Sequence, residues 1–229
     1  MTLEINLKFL DGIYREHDRF MAQTRVYCKK GCATCCTRNV TLTTLEAYRI
    51  LTATGPDLME NNLRRVRAER EKKRLTPSVT LNAFADLCMA GEQIPEDEND
   101  PAWGPCPILE NRTCPLYALR PMACRSLASG RDCAKTGFAD MDDYLLTVNS
   151  VFAQYVEQAD VHGFSGNFTD IILFMAEPGN MEAYKSGNLK QRPPFIRNHP
   201  IKTLMVPPEH RSRIGKILER FGNLQRQLS

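Results

Sequence analysis

Cys28-Lys29-Lys30-Gly31-Cys32-Ala33-Thr34-Cys35-Cys36 places four cysteines within nine residues, and four more follow as Cys106, Cys114, Cys124 and Cys133. Thiolates are soft ligands that select zinc, copper(I) or iron-sulfur clusters, and two or three intervening residues let successive sulfurs turn toward one centre. The pattern therefore predicts a metal or iron-sulfur site. A disulfide framework competes with this reading, but it belongs mostly to secreted chains of under about 80 residues that cannot build a core. With 229 residues, 42% of them hydrophobic, this chain can bury an ordinary core as one domain.

The stretch Met1 to Leu7 carries no basic leader or small-residue cleavage site. No run approaches the roughly 18 apolar residues of a membrane span. A cytoplasmic, reducing setting without membrane contact is expected, and there clustered cysteines serve as ligands or redox groups more often than as bridges. The net charge of +3 is uneven. From Lys190 onward nine Lys or Arg face only Glu209 and Glu219, so residues 190–229 read as a basic C-terminal extension, solvated and loosely docked, on a cysteine-cluster domain of residues 1–189.

The expected fold class is mostly α, with helices around an irregular, cysteine-rich loop core. Leu3, Leu7, Leu10, Tyr14, His17 and Met21 recur at helical spacing, although Gly12 weakens that helix. Val40 and Leu42 alternate with polar neighbours as a short extended stretch. Thr43 and Glu46 then form a capping box that starts a helix near Leu45, which runs to the Gly55-Pro56 break. Further helices are expected over 57–74, 79–89, 140–161, 171–176 and 209–225, the fourth of these capped by Thr169 or Asp170. A proline-rich acidic loop is expected over 92–107.

The two cysteine blocks lie about 70 residues apart, but the entropy of closing such a loop grows only logarithmically with its length, and bound metal can offset it. Vicinal Cys35 and Cys36 project in different directions, so they serve two centres or two corners of a larger cluster. Cys28, Cys32, Cys35, Cys36, Cys106, Cys114, Cys124 and Cys133 are the candidate ligands. Eight thiols fit two four-cysteine sites, or one iron-sulfur cluster plus spare thiols. Proline after Cys106 and after Cys114 fixes the backbone there, and Pro115 opens a short helix over 116–119 that Arg120-Pro121 ends. Lys29, Lys30, Arg38, Arg112, Arg120, Arg125 and Arg131 lie close in sequence to the cysteines and are expected to balance thiolate charge. Cys88, in an apolar segment, reads as a small core residue. The four scattered histidines read as core, cap or surface groups. The charged run 64–74 reads as a salt-bridged, exposed helix rather than a nucleic-acid contact. Trp103 and Tyr117 read as packing groups beside the second cysteine block.

Cys28-x-x-x-Cys32-x-x-Cys35-Cys36, then Thr-x-x-Glu-Ala, then Cys106-Pro-Ile-Leu, then Cys114-Pro-Leu-Tyr-Ala-Leu-Arg-Pro-Met-Ala-Cys124-Arg resembles the zinc- or iron-chelating CxxCxxCC family, the YkgJ-like cysteine-cluster proteins, over roughly residues 25–135. This chain departs from the pattern by one extra residue between Cys28 and Cys32, and Cys133 falls among the family's less regular later cysteines. The resemblance implies an iron-sulfur cluster or Zn2+ held by the cysteines; metal or iron-sulfur binding is the leading function, with a redox or electron-transfer step toward a protein redox partner as one use of it. A structural zinc module for protein or nucleic-acid interaction is the alternative, although a nucleic acid is not the expected partner. The domain also occurs in a flagellin lysine N-methylase, which brings in a methyltransferase-like enzyme as a third reading. No G-x-G-x-x-G loop supports it. The spacing of Cys28, Cys32 and Cys35 is that of the cluster triplet in radical S-adenosylmethionine enzymes, but the strand and helix repeat of their barrel is missing.

Overall fold

In the computed structural model, which describes residues 2–29 and 31–228, the capping box at Thr43 sets the centre of the molecule. The Thr43 hydroxyl accepts the Glu46 N–H at 3.2 Å, and the Glu46 carboxylate accepts the Thr43 N–H at 2.9 Å. Two orphan donors of the helix start are thereby satisfied. Helix α2 (Thr44–Ala53) grows directly from strand β1 (Thr41–Thr43).

β1 pairs antiparallel with β2 (Phe164–Asn167), and β2 with β3 (Ile196–Arg197), giving a three-stranded sheet in the order β1-β2-β3. The remaining described elements are mostly helical, as expected. α1 (Leu3–Met21), α7 (Asp143–Ala159) and α10 (Arg211–Leu228) pack together, and α3 (Pro56–Ala68) and α8 (Phe168–Met175) cover the sheet side. α4 (Leu81–Ala90) leans on α7, and α5 (Met122–Ser126), α6 (Cys133–Thr136) and α9 (Asn180–Lys185) are short. None of the described helices is long and apolar enough to cross a membrane.

Two apolar clusters share α2. Ala47, Tyr48 and Ile50 join Val40, Leu63, Ile108, Leu116, Phe164 and Ile171 in the first, while Leu45 joins Ile13, Met122, Phe152, Ile214 and Phe221 in the second. Cys106, Cys114 and Cys124 border the first cluster, so the cysteine loops lie directly on the core.

Several expectations change. α3 ends at Ala68 instead of continuing to 74; beyond it Arg74 folds inward onto Asp170, at 2.6 and 2.9 Å. α8 is capped by Asn167, whose side chain accepts the Thr169 N–H, and not by Thr169 or Asp170. Cys88 is exposed, because α4 turns its polar edge inward: Asn82 and Ala85 are buried, and the Asn82 N–H is held by Glu157 at 2.8 Å. The basic last helix is not loosely docked. It drives Ile214, Ile217 and Phe221 into the second cluster, and Leu224 closes so tightly on Gly12 that a Cβ there would overlap it. Gly12 thus permits the close α1–α10 approach that its helix-weakening character obscured.

Candidate metal centre

A narrow backbone ladder joins the two cysteine blocks. Cys106 N–H donates to the Cys36 carbonyl at 2.8 Å, Thr37 bridges Pro105, and Arg38 N–H donates to the Gly104 carbonyl at 3.2 Å. Gly104 adopts φ 126°, which side-chain-bearing residues rarely take, and a Cβ there would meet the Arg38 guanidinium at 2.6 Å. The register of this ladder sets Cys36 and Cys106 side by side.

The second block is built from two similar turns. In Cys106-Pro107-Ile108-Leu109 the Leu109 N–H returns to the Cys106 carbonyl at 3.1 Å, and in Cys114-Pro115-Leu116-Tyr117 the Tyr117 N–H returns to Cys114 at 3.1 Å. Proline at the second turn position presets φ. Backbone amides also face the sulfurs: those of Ile108 and Leu109 act on the Cys106 thiol, the Leu109 amide sharing its turn bond, and that of Leu116 acts on Cys114. Between the turns, Asn111 and Arg112 both have positive φ (44° and 60°), and Glu110 and Thr113 exchange backbone bonds across them. The chain after Cys114 forms a 3-10 turn, Tyr117–Leu119, and then α5, which carries Cys124.

Seven of the predicted ligands, Cys28, Cys32, Cys35, Cys36, Cys106, Cys114 and Cys124, line one cavity of about 90 Å³. Apolar walls come from Val40, Ile50, Ile108, Leu116 and Phe168. Cys133 does not line the cavity, but its charge reaches Cys28, as do those of Cys32 and Cys35. The Tyr27 N–H donates to the Ser129 carbonyl at 2.7 Å, holding the first cysteine turn beside the segment that leads to Cys133. All nine cysteines are free, Cys88 standing apart on the surface of α4.

The thiols are electrostatically unequal. Cys35 donates a hydrogen bond to Cys36, which pushes the Cys35 thiol up and holds Cys36 below its usual value. Burial pushes Cys106 up to about 11, against the pull of its two amides and of Arg65. Burial likewise raises Cys114 and Cys124; for Cys124 the neighbouring Cys106 and Cys114 add to it. Cys28 is raised by burial as well.

Of the cations expected to balance these charges, Arg120 favours ionisation of Cys35, Cys114 and Cys124, and it stacks 3.5 Å from the centroid of the exposed Tyr117 ring. Lys29 and Arg112 line the cavity. Arg38 also lines it but pairs with Glu69 at 2.9 Å, and Arg131 pairs with Asp140 at 2.8 Å. Arg125 is a structural clamp, bonding Asp18 (2.7 Å), the Arg120 carbonyl (2.9 Å) and the Ala118 carbonyl (3.0 Å). Lys30 lies outside the described residues. The sequence reading missed Arg65, hidden in a charged run. It pairs with Glu110 and donates to the Leu109 carbonyl at 2.6 Å, gripping the first Cys-Pro turn. Trp103 does not line the cavity; Lys73 sits over its ring. His17 Nε2 pairs with Asn149 and His210 Nδ1 with Thr147.

Among the described residues no three His, Cys, Asp or Glu side chains form a group as tight as one ion requires. The thiols share walls without converging on one point. The donor chemistry fits zinc or an iron-sulfur core: soft sulfur, inward amide donors and nearby guanidinium groups. No curated protein and no solved structure matched the chain. A family model, CxxCxxCC, described as "Putative zinc- or iron-chelating domain", matches residues 27–144. The match spans both cysteine blocks and the ladder between them, and the chain belongs to this family of zinc- or iron-chelating domains.

Proposed function

We propose that the eight cysteines act as two groups of four. Cys36, Cys106, Cys114 and Cys124 form an inner group, whose charges act on one another; Cys28, Cys32, Cys35 and Cys133 form an outer one. This division assigns the vicinal Cys35 and Cys36, whose thiols are hydrogen-bonded to each other, to different centres, so that bond gives way when both are loaded. The observation that carries the reading is the Cys106–Cys36 backbone bond, which makes the two blocks one wall.

The inner group is read as the seat of an iron-sulfur cluster in electron transfer with a protein redox partner, in a reducing, cytoplasmic setting that suits free thiols. Four sulfurs about 2.3 Å from a zinc ion leave no room between them. The cavity, at about 90 Å³, is shared by both groups, and its room for more than one water is compatible with a polyatomic core. When bound, such a core supplies one-electron redox chemistry. The protein's part is to hold the sulfurs, to aim the Ile108, Leu109 and Leu116 amides at them, to set Arg120 against their charge and to exclude water with apolar walls.

The test is oxygen-free purification followed by metal analysis, sulfide quantification and visible spectroscopy. Iron and sulfide with visible absorption are expected. A colourless protein with stoichiometric zinc would replace this reading with a structural zinc module, and protein free of both metals would end it.

A further inference from the structure

Glu46 is fully enclosed, only 2% exposed, and its carboxylate is spent on three donors from three parts of the chain. One oxygen accepts the Thr43 N–H at 2.9 Å. The other accepts the Tyr14 hydroxyl of α1 at 2.7 Å and the Met122 N–H at 2.7 Å. A capping box accounts for the first bond alone. Met122 opens α5, two residues before Cys124, and the bond from Glu46 spans 76 positions of sequence.

The anchoring is reinforced from the other end of the same turn. Arg125 bonds the Ala118 and Arg120 carbonyls and reaches Asp18 on α1, with its guanidinium 4.3 Å from the centroid of the Tyr14 ring. Tyr14 is thus shared, its hydroxyl held by Glu46 and its face by Arg125. The backbone around Cys124 is fixed at Met122 and at Arg125, and both fixtures run to α1 and α2. α5 is only five residues long and has no side-chain cap of its own, so the buried carboxylate supplies what the helix lacks.

We infer that Glu46 is a positioning residue of the metal centre: it bolts the start of α5 to the start of α2 and so sets where the Cys124 sulfur enters the cavity. The inference rests on the inner four thiols being the ligands. Glutamine is isosteric but carries a single acceptor oxygen, and its NH2 group must face one of the donors that the carboxylate now accepts. With Glu46→Gln the Met122 amide therefore loses its partner or competes for it with Thr43, and α5 is freed to shift.

The experiment compares anaerobically purified wild type, Glu46→Gln and Asp160→Asn for bound metal, visible spectrum, release of metal to a chelator, and thermal midpoint. Asp160 is the matched control. It is equally buried and serves the same helix start, accepting from the Thr44 hydroxyl (2.6 Å) and the Leu45 N–H (2.8 Å), but it bonds nothing on α5. The expected result is release on the order of tenfold faster from Glu46→Gln, the scale on which outer partners of metal ligands act, with a changed spectrum. Asp160→Asn should release metal at the wild-type rate whatever its midpoint. Equal release from the two variants, or wild-type release from Glu46→Gln, overturns the inference. Wild type without metal refutes the underlying reading and the inference with it. If Glu46→Gln does not fold, Tyr14→Phe, which removes one of the three bonds, should still release metal faster, and an unchanged rate there overturns the inference equally.

Discussion

Loading the inner thiols with metal should expel protons, and the number is legible in the structure. A thiolate, not a thiol, is the ligand. Cys106 at about 11 is almost wholly protonated at neutral pH, and removing its proton at pH 7 costs about 5 kcal/mol at 1.36 kcal/mol for each pH step. Cys114 and Cys124 are raised too, whereas Cys36 is held down by the Cys35 hydrogen bond and gives up its proton most easily. At least three of the four inner thiols thus remain protonated at neutral pH, so each metal bound there should release about three to four protons. Apparent affinity should then climb by about a thousandfold or more for each pH step between roughly 6 and 8, because each displaced proton contributes a factor of ten. Zinc is a suitable probe because it has no redox chemistry of its own. Zinc added to the reduced chain in weak buffer gives the protons released per ion, and competition with a chelator at three pH values gives the slope. Fewer than two protons per zinc, or a slope below about a hundredfold for each pH step, would refute the assignment of these buried thiols as the ligands.

Asp160 offers a test of the scaffold. Burial lifts it to about 7, although Thr44, Leu45 and Tyr184 all donate to it. Since an unfolded Asp titrates near about 3.9, the folded chain keeps a proton between about pH 4 and 7 that the unfolded chain has lost. This group therefore stabilises the fold below about pH 4, and that contribution disappears as pH climbs through 7, by roughly 4 kcal/mol at most. Urea unfolding of wild type and Asp160→Asn across this window should show the wild type losing ground with rising pH; a pH-independent difference contradicts the burial argument. Phe221→Ala should cost about 3–5 kcal/mol, the usual loss for a buried ring, because Phe221 is sealed between Phe152 and Tyr155 at ring separations of 5.0 and 4.4 Å. A loss below about 1 kcal/mol in the same unfolding assay would return α10 to the status of a loose tail.

Local chemistry made much of this molecule readable. The Thr43–Glu46 box, the periodicity of α1, the prolines after Cys106 and Cys114 and the cysteine spacing act over a few residues, and each left a signature that the fold repeats. What escaped was long-range. Glu46 could be seen as a cap but not as the partner of Met122 across the chain. β2, written Phe-Ser-Gly-Asn, has no strand-forming pattern of its own and is extended because β1 pairs with it. Cys88 was misplaced because its apolar neighbours suggested a core, when the face of α4 that is held is the one with Asn82. α10 was misjudged for the opposite reason: Ile214, Ile217 and Phe221 form a readable stripe, but the surrounding arginines drew the eye to solvent. At the cysteine site, the spacing marked the candidate sulfurs, seven of which line one cavity, but only the ladder through Gly104 showed which neighbours they keep.

The double duty of α2 bears on how this chain can change over generations. Leu45 points into one cluster, Ala47, Tyr48 and Ile50 into the other, while Glu46 reaches α1 and α5 and Thr44 reaches Asp160 at the end of α7. A replacement along this helix therefore finds no quiet side on which to land. The run from Thr43 to Ile50 should tolerate less variation than any surface helix of equal length, and drift in the cysteine loops is confined to what this rigid spine accepts.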